Sequence, residues 1–215
     1  MALKISEQSG GSDFEQLAVG QYNATCYRVI DIGTHNETYE GETSKKHSVL
    51  LQWELDKKMA DDRPFSVTAQ YNLSLHEKAK LRQHLTSWRQ KQFTEEELAG
   101  FDLTNVLGLT CKLDIGHTAN GNPKVLNIYA PDGGVKKGAT VNDQIAFDCD
   151  LYASADAGEM KKFVNLPEWM QEKIDDSFEV KAWASKQVQA DTSNDGDFTS
   201  LDAIADNKTE DEIPF

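Results

Sequence analysis

The chain has 215 residues, 39% of them apolar, and carries a net charge of −14 from 36 acidic and 22 basic side chains. That length and apolar content allow one sizeable core, whereas no apolar run approaches the ~18 residues needed to span a bilayer. Cys26, Cys111 and Cys149 are odd in number, widely spaced and without a Cys-x-x-Cys pair, which argues against a disulfide framework or a zinc knuckle and for reduced thiols.

Residues 1–13 are polar and contain Gly and Ser. They read as a flexible arm, without the apolar stretch of a secretory signal. Residues 19–32 predict a long strand, with Tyr22, Ala24, Cys26, Ile30 and Ile32 in one phase broken only by Arg28. The polar stretch 34–44 predicts a loop. Val49, Leu51, Trp53 and Leu55 alternate as a second strand, and Phe65, Val67, Ala69 and Tyr71 as a third with one wet face. Ser74 and Glu77 have the spacing of a capping box. The helix it would open places Leu81, Leu85 and Trp88 on one stripe. A second box, Thr94 with Glu97, predicts a further short helix ended by Gly100. Leu109, Cys111, Leu113 and Ile115 alternate as a fourth strand, and residues 125–129 form a fifth after a turn at 119–123. Ile145, Ala146 and Phe147 suggest an extra edge strand, and residues 166–174 a short helix with Pro167 at its first position.

This order predicts a mainly β fold with α: an OB-fold-like five-stranded barrel with a helix between strands 3 and 4. Residues 14–190 read as one domain, with a C-terminal embellishment from about residue 131. Residues 191–215 read as a disordered acidic tail, rich in Ser, Thr, Asn, Asp and Gly. The charge is unevenly spread. The tail holds eight acids against Lys208 alone, half of the chain's net charge. Residues 71–92 instead carry Lys78, Lys80, Arg82, Arg89 and Lys91 against Glu77.

The chain ends on Glu210, Asp211, Glu212, Ile213, Pro214 and Phe215. An acidic run with an apolar tip suits a greasy pocket with a basic rim on a partner, so these six residues are candidate partner-binding residues. The tip, with Tyr71-Asn-Leu-Ser-Leu-His-Glu77 and Gly100-Phe-Asp-Leu-Thr-Asn-Val-Leu-Gly108, resembles phage-encoded single-stranded-DNA-binding proteins of about this length. The linker lacks the Gly/Gln/Pro richness common in the bacterial members, and 131–190 has no place in a minimal barrel. The resemblance implies coating of exposed strands without sequence specificity during phage DNA replication, recombination or repair, in the cytoplasm of the infected host. It implies single-stranded DNA as partner, with double-stranded DNA a further candidate. It also implies replication, recombination or repair proteins docked on the tip, a homo-oligomer as a candidate assembly, and no membrane.

Strand binding needs cations for phosphates and exposed rings for bases. Lys45, Lys46, Lys57 and Lys58 flank the second strand; Lys78, Arg82 and Arg89 flank the helix stripe; Lys112 lies in the fourth strand and Lys124 just before the fifth. Tyr27 and Tyr129 fall out of phase with their apolar neighbours and Tyr39 lies in a predicted loop, making the three stacking candidates. Trp53, Trp88, Phe65 and Tyr71 are in phase and assigned to the core. No His pair has metal spacing, no Gly-rich phosphate loop occurs, and Asp61 and Asp62 read as turn formers. No catalysis, cofactor or metal is therefore expected. The alternative function is an acidic interaction protein, a DNA mimic or inhibitor of a host DNA-processing enzyme.

Overall fold

The computed structural model describes residues 15–193. The predicted arm, and the tail beyond residue 193 with its tip, lie outside the described residues. The fold is mixed α/β. Strands β1 (Gly20–Tyr39), β2 (Glu42–Lys58), β3 (Pro64–Asn72), β4 (Thr110–His117), β5 (Pro123–Tyr129) and β6 (Ile145–Phe147) form one six-stranded sheet. Its path is β3-β2-β1-β4-β5 with antiparallel pairing, while β6 joins β1 in parallel. The sheet is not closed: β3 and β5 approach each other, but no ladder links them among the described residues.

The predicted phase of β1 is corrected by a bulge. Cys26 pairs with Trp53 and Arg28 with Gln52, so Tyr27 has no partner on β2. Side chains alternate with a period of two, and one extra residue moves everything after it to the opposite face. Before the bulge, Ala24 and Cys26 face a main core that also takes Val29; after it, Ile30 and Ile32 enter a second core. The main core gathers Val49, Leu51, Trp53, Leu55, Phe65, Val67 and Tyr71 with Cys111, Leu113 and Ile115.

Helix α1 (Lys80–Arg89) lies between β3 and β4 in sequence and packs on β5 and β3. Its buried stripe is Leu81, His84, Leu85 and Trp88. The Trp88 indole N–H donates to the Thr110 carbonyl at 2.8 Å, tying the helix to β4. The predicted Ser74 box does not form. Ser74 Oγ instead accepts from the His76 N–H at 3.1 Å, making a local turn that competes with helix, and α1 starts at Lys80. The Thr94 box does form, opening α2 (Glu95–Ala99).

Beyond β5 the chain builds a layer of four helices: α3 (Cys149–Ala153), α4 (Ala157–Phe163), α5 (Glu168–Asp175) and α6 (Phe178–Ser193). Phe147, Cys149, Leu166, Met170, Ile174 and Val180 pack on Ile30, Ile32 and Leu50, forming the second core. Gly33 lies in the second irregularity of β1, at φ +74°; a Cβ there would sit 2.7 Å from the Ser177 Cβ, so only Gly admits α6 this closely. Glu54, also on the outer face of β2, accepts from the backbone N–H of Val141 and Asn142 at 2.9 Å, pinning the segment that leads to β6. The predicted loop at 34–44 is instead the continuation of β1 and β2 as an exposed ribbon, paired as far as Tyr39 with Glu42.

His84 is buried and shares a hydrogen bond of 2.9 Å with the Tyr71 hydroxyl. Burial, reinforced by nearby Lys80, pushes its pKa down to about 4. A depressed folded-state pKa gives stability that is complete above the unfolded value near 6.5 and is lost as pH falls toward the folded one. His47 has the opposite sign: its hydrogen bond to Asp31, at 2.6 Å, raises its pKa, and its contribution fades as pH rises past that value. Thermal midpoints between pH 7 and 4 should fall less steeply in His84→Gln than in wild type; an unchanged acid slope would assign the loss to other groups.

Candidate nucleic-acid interface

The sheet's alternation creates a basic cleft where β3 leaves it. Tyr71 turns into the core, leaving Gln70 and Asn72 outward. The chain then passes through the Ser74 turn to the start of α1. Lys46, on the exposed end of β2, lies just beyond the last β2–β3 pair, Ser48 with Asn72, next to this segment. Between them lies a cleft of about 500 Å³ lined by Lys46, Gln70, His76, Lys78 and Lys80, among others, with no carboxylate in the lining. Lys80 also donates to the Val125 carbonyl at 3.4 Å; partial burial, with Lys124 nearby, lowers its pKa. A cleft of lysines without acids suits a polyanion's backbone.

The other predicted cations are more dispersed. Lys124 is exposed and lies near Lys80. Lys45 stacks over the Phe178 ring at 4.1 Å. Lys57 lies 5.7 Å from the Phe65 ring centre, and Lys58 is 4.0 Å from the Asp62 carboxylate. Arg82 donates to the Leu75 carbonyl at 3.1 Å, and Lys112 pairs with Asp132 at 2.7 Å. Arg89 is held by Glu97 and lies over the rings of Phe93 and Phe101 at 4.6 and 4.8 Å. Arg89 and Lys112, 18% and 25% exposed, are therefore held in ion pairs partly shielded from solvent, and Arg89 is also built against the Phe93–Phe101 ring pair.

The structure does not bring the three tyrosines together. Tyr27 is only 3% exposed and its hydroxyl donates to Ser66 Oγ at 3.3 Å, so the expectation that its ring is offered at the surface is corrected. Tyr27 joins neither core; its ring is covered beside Arg28 and Ser66. Tyr39 is 76% exposed at the tip of the β1–β2 ribbon, and Tyr129 is 38% exposed at the end of β5. Trp53, Trp88, Phe65 and Tyr71 are buried as expected.

Sequence reasoning did not choose His76 or Lys80 for this cleft. Their signal was their place at the junction of a wet strand face and a basic helix start. A second cleft, of about 380 Å³, is lined by Glu54, Asp56 and Asp132 with Lys136. Its acidic balance makes it the less suitable surface for phosphates. Among the described residues no group of three or more His, Cys, Asp or Glu side chains is placed to hold a metal, and no helix is long and apolar enough to cross a membrane. No protein-family model and no curated protein matches this chain.

The placement of the tyrosines separates stability from surface effects. Tyr27→Ala should destabilise the fold by about 3 kcal/mol, as truncation of a buried aromatic does, while Tyr39→Ala should stay within about 0.5 kcal/mol. Urea unfolding of the two variants measures both; equal midpoints would contradict the burial of Tyr27.

Proposed function

We propose that this protein binds single-stranded DNA without sequence preference, coating exposed strands during phage DNA replication, recombination or repair, and recruits enzymes through its C-terminal tip. The observation that carries this reading is the acid-free cleft of Lys46, Lys78 and Lys80 beside the outward face of β3. Lysines that hold a phosphate backbone carry no base information, which fits coating rather than sequence reading.

The strand order supports it. A β3-β2-β1-β4-β5 path, with α1 between β3 and β4 and β3 approaching β5, supports the reading of an OB barrel whose last seam is open. We assign the fold to that class, with the helices from Cys149 onward as its embellishment. OB barrels hold single strands over the face of strands 2 and 3 and the adjoining loops, and a cleft between the end of β2, the end of β3 and the start of α1 fits that reading. The sequence of the tip, Glu210 to Phe215, supports the recruiting role.

Anisotropy with a ~30-nucleotide strand, titrated with salt, tests the binding. Affinity should fall steeply as salt rises, and replacing Lys46, Lys78 and Lys80 together by Ala should reduce the slope of log affinity against log salt by about 2, at ~0.7 per phosphate contact. Absence of binding at low salt would overturn the reading and favour the acidic-mimic alternative.

Deleting residues 210–215 removes three acidic side chains and leaves a new terminal carboxylate. Strand binding should therefore be kept or slightly tightened at low salt, converging with wild type as salt rises. Phe215→Ala should weaken capture of replication or repair enzymes by ~2 kcal/mol or more. A pull-down from host lysate that recovers the same partners with wild type, Phe215→Ala and the deletion would reduce the tail to a solubiliser.

A further inference from the structure

A third cleft, of about 340 Å³, lies where the helical layer meets the sheet. Its lining includes His35 and Glu37 from β1, Gln70 from β3, and Lys173, Asp176 and Lys181 from the α5–α6 corner, with the Phe178 ring beside them. Gln70 also lines the Lys46–Lys78–Lys80 cleft, so the two hollows adjoin across one outward side chain of β3. Strand pairing places them side by side as well: Lys46 is opposite His35 and Lys45 opposite Asn36. Lys45 reaches over the Phe178 ring at 4.1 Å, so the seam between ribbon and helices is itself a cation on an aromatic face.

We propose that a single strand held in the Lys46–Lys78–Lys80 cleft continues past Gln70 into this third cleft, where Lys173 and Lys181 hold the phosphates of its next segment. This rests on the single-stranded-DNA reading above and extends it by giving the helical layer a share of the binding path. Two carboxylates face the cleft and must be accommodated. Asp176 is taken up by Lys181 and lies 3.9 Å from the His35 Nδ1, and that exposed pair is exchangeable with a phosphate at little cost. Glu37 lines the cleft from the exposed β1–β2 ribbon. The lining holds Lys173 and Lys181 against Glu37 and Asp176, with Lys45 over the Phe178 ring beside it, whereas the Glu54 cleft sets three carboxylates against Lys136.

A continuous path predicts that the helical layer matters only for strands long enough to reach it. The full-length protein is titrated with thymidine strands of ~8 and ~30 nucleotides at several salt concentrations. Lys173→Ala/Lys181→Ala should bind the short strand as wild type does and the long strand several-fold more weakly, with the salt slope on the long strand reduced by about 1. Lys173→Glu/Lys181→Glu should deepen that loss, and thermal midpoints of both variants near wild type exclude unfolding as its cause. Lysine variants that bind the long strand with wild-type affinity and slope would overturn the extended path while leaving the first cleft in place. Loss on both strands alike would overturn it too, by showing that the layer acts on the main cleft. A wild-type protein that binds neither strand would instead remove the reading on which the proposal rests.

Discussion

The unpaired Tyr27 is the constraint from which the architecture follows. A regular β1 would have sent Ala24, Cys26, Ile30 and Ile32 to one face and left the other open to water. The bulge divides them, so the same strand serves the main core with its first half and the helical layer with its second.

That division also shapes the surface. Because Leu50 and Ile30 face outward to the helices, the layer must sit on β1 and β2 and stop short of β3. The outward side chains of β3, Gln70 foremost, remain as the floor of a groove whose walls come from the layer on one side and the Ser74 turn on the other. The acids are handled separately. Glu54 is spent on backbone N–H groups of residues 141 and 142, and Glu97 on Arg89. Lys46 and Lys78 beside Gln70 are left exposed in a chain whose overall charge is strongly negative.

Much of this was legible in the sequence where one face of an element is buried and the other is wet. β3, β4, the Trp88 stripe of α1, the Thr94 box and the three residues of β6 all carry that alternation or a local cap. The ribbon beyond Gly33 was not legible, because neither of its faces enters a core and backbone pairing leaves no hydrophobic trace. Nor was the bulge, which shows in the sequence only as Arg28 out of step. The Ser74 box had the right spacing, but its hydroxyl found a nearer backbone N–H in a turn. Lys80 and His76 became cleft residues only when that turn folded beside the end of β2, a long-range placement that local pattern does not encode.

Residues 48–55 of β2 are buried without interruption, with main-core side chains on one side and Leu50, Gln52 and Glu54 under the helical layer and its leading segment on the other. A strand sealed on both faces cannot be uncovered by one layer without exposing apolar surface of the other. The helical layer and the sheet therefore belong to one cooperative unit rather than to a domain and its appendage, and the slowest-exchanging amides belong in β2. A protease nick between β5 and β6 would cut the chain there and still leave the two pieces clamped together.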